Sequence, residues 1–72
     1  MKIRYDAKGD AAYITFKDTI EQVRTVRLTE DIAVDYGVGE EIHGIEILSA
    51  SEHLGLIPGS PAVILENLKA QV

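Results

Sequence analysis

The chain has 72 residues, a formal net charge of −5, 46% apolar residues, 26% charged residues and no cysteine. This composition is too apolar for a disordered segment, and zero cysteine excludes disulfides and thiolate zinc sites. A chain this short buries only about 60% of the surface its unfolded form exposes, so a second copy is the expected source of further burial. The reading is one domain over residues 1–72, self-associating as a homodimer. No apolar run approaches the roughly 20 residues needed to cross a bilayer, and Met1–Asp6 lacks a secretory apolar stretch. The expectation is a cytoplasmic protein with no membrane partner.

Alternating apolar and polar residues dominate the first 48 positions, as strands require. Ile3 and Tyr5 point one way, with Lys2, Arg4 and Asp6 the other. Asp6 to Asp10 reads as a hairpin loop. The second strand, Ala11 to Lys17, sets Ala12, Ile14 and Phe16 against Ala11, Tyr13 and Thr15. Gln22 to Thr29 is a third strand with Val26 and Leu28 opposite Thr25 and Arg27, and the out-of-phase Val23 predicts a bulge. Ile32 to Tyr36 is the fourth. After the turn Gly37-Val38-Gly39-Glu40, Ile42 to Leu48 is the fifth.

Short connections predict an antiparallel meander of about five strands, because parallel pairs need long crossovers. Ser49-Ala50-Ser51-Glu52 has the spacing of a capping box for a short helix that Gly55 ends. Pro58-Gly59-Ser60-Pro61 then precedes a C-terminal helix or sixth strand from Ala62 to Val72. The class is α+β and β-rich. One sheet side takes the C-terminal segment, and the other is left for a second subunit.

Charge is unevenly spread. Residues 1–27 hold six basic and four acidic residues, residues 28–72 one basic and eight acidic, and Glu30 to Glu52 holds seven carboxylates without Lys or Arg. That half repels polyanions, which argues against nucleic acid and for a small basic protein partner. Asp35, Glu40, Glu41 and Glu46 are the expected partner-facing charges.

Other chemistry is weaker. His43 and Glu46 have the H-x-x-E spacing of helical metal sites, but in a strand residues three apart face opposite sides. Asp6 and Asp10 flank a loop and form the alternative cation site, short of the six or more oxygens calcium takes. Asp6, Asp35 and Glu46 share parity and could form an acid/base cluster. With Asp10, these residues define the alternative reading of a small acidic-site enzyme or cation-binding domain. A purely structural homo-oligomer is the third reading. Ser49, Ser51 and His53 lack a nucleophile elbow. No catalytic residue and no cofactor is expected.

Tyr5-Asp6 with Asp10-Ala11-Ala12-Tyr13-Ile14, then Val34-Asp35-Tyr36, then Gly44-Ile45-Glu46-Ile47-Leu48 with Ala50-Ser51, together resemble a family of short prokaryotic proteins, domain of unknown function 2283. Residues 1 to about 54 carry the resemblance. Ala12 stands where the family usually has a larger apolar residue, and the turn after Tyr36 is not Asp-rich. The resemblance implies a small β-rich domain with no established activity. Some relatives look like neighbours of RNA-cleaving toxin-like proteins, which implies an antitoxin-like role by association.

Overall fold

A computed structural model describes residues 1–57, 63, 64 and 66. Five strands form one antiparallel sheet: β1 (Lys2–Asp6), β2 (Ala11–Thr15), β3 (Arg24–Arg27), β4 (Ile32–Tyr36) and β5 (Ile42–Leu48). A single short helix, α1 (Ala50–His53), follows β5 among the described residues. All strand pairs are antiparallel, and β3, β4 and β5 run as a meander. The order across the sheet is β1-β2-β5-β4-β3, so β2 passes its chain over to the far edge and pairs with β5 instead of β3. Short connections predict consecutive neighbours everywhere. The exception is the stretch between Thr15 and Arg24, which is long enough to leave the β2 edge open for β5.

The alternation predicted for each strand sets the register. Ile3, Ile14, Ile45 and Val34 lie side by side on one face, with Tyr5, Ala12, Ile47 and Ile32 in the next row. The third strand is shorter than Gln22 to Thr29, and Val23 precedes it. The bulge lies elsewhere, where Asp35 and Tyr36 are adjacent but their partners, Gly44 and Ile42, are separated by His43.

α1 closes one end of the apolar face. Ala50 is fully buried and packs with Ala12 and Ile47, backed by Ile14, Ile32 and Ile45. Small side chains let helix and sheet approach closely. The core is thin: Ala12, Ala33, Val34, Ile47 and Ala50 are the buried apolar residues described. Burial of Val34 and Ile47 contributes about 2 kcal/mol each.

The helix start differs from the capping box. Ser49 adopts φ 51° and its side chain makes no cap hydrogen bond. Asp10 performs that role from the β1–β2 loop. Its carbonyl accepts the Ala50 N–H at 2.9 Å, one carboxylate oxygen the Ser51 N–H at 2.9 Å, and the other the Ser51 hydroxyl at 2.7 Å. A remote carboxylate thus satisfies first-turn donors that a local cap would otherwise take.

The helix end is as the sequence predicts. Gly55 at φ 62° permits the paired closing bonds, Leu56 N–H to Ser51 carbonyl at 3.0 Å and Gly55 N–H to Glu52 carbonyl at 3.4 Å. Val63, Ile64 and Glu66 belong to no helix or strand. The rest of the expected Ala62–Val72 element, and the Pro58–Pro61 breaker before it, lie outside the described residues. No helix among the described residues is long and apolar enough to cross a membrane.

Candidate functional site

The face opposite α1 is polar. By register it carries Arg4, Tyr13, Glu46, Asp35, Thr25 and Arg27 in neighbouring rows. Tyr13 lies opposite Glu46, but its ring runs diagonally over Gly44 toward β4. A Cβ at position 44 would stand 2.5 Å from the Tyr13 hydroxyl oxygen, so this strand position must be glycine for the ring to pass. The hydroxyl donates to Asp35 Oδ2 at 2.5 Å, and Thr25 Oγ1 donates to Asp35 Oδ1 at 2.5 Å. Three strands, β2, β4 and β3, are tied together through one carboxylate.

The bulge at His43 opens the way for a second network. Glu21, from the long β2–β3 connection, reaches over Gly37, where any Cβ would collide with its carboxylate. One oxygen accepts the Val38 N–H at 2.8 Å; the other lies 2.9 Å from His43 Nδ1 and 3.0 Å from Thr19 Oγ1. Both the Glu21 and His43 side chains are only 15% exposed. These bonds fasten the connection that carries the chain from β2 to the far edge.

The electrostatics make these networks stable fixtures rather than proton carriers. Burial, then the hydrogen bond to Asp35 and its charge, push the Tyr13 phenol up to about 12. The Thr25 and Tyr13 donors hold the Asp35 carboxyl below its ordinary range. The Val38 N–H, followed by His43 and Thr19, holds the Glu21 carboxyl down at about 2. A general acid or base works best with a pKa near the operating pH. At neutral pH Tyr13 stays protonated and Asp35 and Glu21 stay ionised, so each has a fixed hydrogen-bonding role.

Each carboxylate expected to face a partner has a contact within the chain. Glu40 pairs with Arg24 at 2.5 Å, Glu41 with Lys17, and Glu46 with Arg27 at 2.9 Å; Asp35 is held by Tyr13 and Thr25. Glu40 and Glu41 are 69% and 60% exposed, at the end of the sheet away from α1. Exposed pairs of this kind hold by only about 0–1 kcal/mol, so an incoming cation can exchange for them.

The alternative cation residues are already engaged. Asp6 accepts the Lys8 N–H at 3.0 Å, an Asx turn, and Asp10 also accepts the Tyr5 hydroxyl at 2.8 Å. Asp6, Asp35 and Glu46 share the polar face but lie in different rows with different partners. His43 and Glu46 likewise bond to Glu21 and Arg27 and do not converge. Among the described residues no group of three or more His, Cys, Asp or Glu is placed to hold a metal ion. His53 meets Asp31 at 2.8 Å, fastening α1 to the β3–β4 turn.

Sequence reasoning passed over Tyr13, Thr25 and Glu21. Gly44, a glycine inside the Ile42–Leu48 strand, was the available signal for Tyr13, because such a glycine marks close approach of another group. Glu21 left no signal, since its partners come from a turn and a bulge remote in sequence.

Two open depressions flank the sheet. On the polar face, Arg4, Asp6, Ala11, Tyr13 and Glu46 border a shallow groove of about 390 Å³. On the apolar face, Ile3, Tyr5, Ala12, Ile14, Leu54 and Leu56, with Val63, line a groove of about 340 Å³. Ile3, Tyr5 and Leu54 remain 40%, 45% and 39% exposed there.

Among known proteins, no curated protein and no solved structure matches this chain. A family model described as protein of unknown function (DUF2283) matches residues 2–51, from β1 into α1, and includes Tyr13, Asp35, Gly44 and Asp10. The chain belongs to this family of proteins of unknown function.

Proposed function

We propose that the chain is a non-enzymatic protein-binding module, antitoxin-like in taking a small basic protein as its partner. The observation that carries this reading is the half-exposed apolar groove between the β1–β2 hairpin and the chain leaving α1. A concave apolar lining of this kind has the shape to take an apolar side chain. Its occupant is an apolar side chain carried on a basic segment, because the residues from Glu30 to Glu52 supply carboxylates and no cation. Glu40 and Glu41 steer the partner from a distance, while Ile3, Tyr5 and Leu54 make the close contact. The fixed protonation states of Tyr13, Asp35 and Glu21 fit a scaffold better than an acid/base centre.

The test captures partners of the tagged protein from its own host at low salt, then measures the recovered partner's affinity by calorimetry. Leu54→Asp should abolish binding, and Glu40→Lys with Glu41→Lys should slow association and flatten its salt dependence. Equal affinity for Leu54→Asp and the parent chain would refute the groove as the binding surface.

A further inference from the structure

We propose that a second copy of the chain docks on the outer edge of β1, joining two sheets into one of ten strands about a twofold axis. This goes beyond the basic-partner reading and names a second copy of the chain as a further partner.

The hydrogen-bond parity of the sheet determines what the edge offers. The Phe16 N–H donates to the His43 carbonyl at 2.8 Å, one residue beyond the Thr15–Gly44 pair. In an antiparallel sheet, main-chain groups turn alternately to the two neighbours. Even-numbered residues of β2 therefore face β5, and odd-numbered ones face β1. Tyr13, opposite Arg4, exchanges its bonds with that residue, as do Ala11 with Asp6 and Thr15 with Lys2. On β1 the remaining residues, Ile3 and Tyr5, aim their N–H and carbonyl groups away from the sheet. Two residues with outward main-chain groups, separated by one, are what an antiparallel strand needs to add four hydrogen bonds.

The side chains of β1 complement their own copy. Along the strand the polar face reads Lys2, Arg4, Asp6, and the apolar face reads Ile3, Tyr5. With Arg4 on the twofold axis, Lys2 meets Asp6 of the partner subunit at both ends. Ile3 meets Tyr5 of the partner subunit, so the two apolar faces become continuous. All five β1 residues are exposed in the single chain. Among the described residues, neither Lys2 nor Arg4 has an ion pair, whereas Lys17, Arg24 and Arg27 each have one. The opposite edge, β3, lacks this complementarity: its two charges are Arg24 and Arg27, both already bound to glutamates.

This register sets Arg4 against Arg4 of the partner subunit, a like-charge pair that weakens the dimer. That cost gives the proposal a distinctive signature. Sedimentation equilibrium of the full chain over a wide concentration range measures the dimer constant. Lys2→Glu should weaken dimerisation about tenfold at low salt, from two lost attractions and two new repulsions. The double exchange Lys2→Glu with Asp6→Lys should restore most of it. Arg4→Thr should tighten the dimer. Circular dichroism of each variant checks that the fold is kept, which matters because Asp6 also holds the β1–β2 turn.

A monomeric parent chain at all concentrations would overturn the proposal, and so would a dimer indifferent to the β1 charges. Weakening by Arg4→Thr would overturn this register in favour of one pairing Arg4 with Asp6. None of these outcomes bears on the basic partner, which the capture experiment decides separately.

Discussion

Gly44→Ala isolates the contact on which the polar face is built. A Cβ at this position would stand 2.5 Å from the Tyr13 hydroxyl oxygen, 2.7 Å from its Cζ and 2.8 Å from the Ile14 carbonyl oxygen. The ring can swing away, but the carbonyl belongs to the paired β2 strand and cannot. Overpacking of this kind costs about 1–3 kcal/mol. A displaced Tyr13 also gives up its bond to the Asp35 carboxylate, worth about 1 kcal/mol once partial exposure is allowed for. The expected destabilisation is about 3 kcal/mol, against a total of roughly 4–11 kcal/mol for a domain of this length. Urea unfolding followed by circular dichroism measures it. Tyr13→Phe removes the hydroxyl, so Gly44→Ala should cost about 1 kcal/mol less in that background. A cost below about 0.5 kcal/mol, or one identical in both backgrounds, would refute the account of Tyr13 crossing over Gly44.

Further predictions concern the clamps and the titrating groups. Asp10→Ala should strip hydrogen-exchange protection from the Ser51 amide and loosen α1 while the sheet keeps its protection; unchanged Ser51 exchange would show that Asp10 does not hold the helix. The Tyr13 phenol, raised to about 12, stabilises the fold fully below its unfolded value near 10, and this contribution is lost as pH rises through about 12. Ultraviolet titration should accordingly show one tyrosine ionising near pH 12, and Tyr13→Phe should remove that step. Glu21 has the opposite sign: its contribution is present above its ordinary value of 4.5 and lost as pH falls through about 2. The Val38 amide resonance should titrate with a midpoint near 2 rather than 4.5, and Glu21→Gln should abolish that titration.

Much of the fold was legible because it rests on local alternation. The side-chain parity of Ile3 and Tyr5, of Ala12 and Ile14, and of Thr25 and Arg27 follows from a period of two residues, whatever strand lies alongside. Gly55 as the end of α1 was equally local, since glycine takes the left-handed closing position of a helix at the least steric cost. The pairing of β2 with β5 was not legible, because periodicity says which way a residue faces and nothing about its neighbour. The same limit hid the helix cap. Ser49 has the right chemistry at the right spacing, yet Asp10 satisfies the helix donors from a loop some forty residues away in sequence. The bulge was expected at Val23 from its broken phase but occurs at His43, where Ile42 falls out of phase with Ile45 and Ile47 in the same way. Of the candidate site, the acidic surface was visible as composition. The internal partners of Glu40, Glu41, Glu46 and Asp35 depend on which strands meet.

The strand order also shapes how the chain reaches this structure. The β1–β2 hairpin and the β3–β4–β5 meander are each made of neighbours in sequence, and each can form by closing short loops. Joining them requires the β2–β5 seam, whose partners are separated by about thirty residues, and loop-closure entropy makes that step slow relative to hairpin formation. Until it is complete, Ala12 and Ile47 cannot pack together and Asp10 cannot reach Ser51. Formation of the seam therefore coincides with formation of the core and of α1, and the two halves gain their stability together.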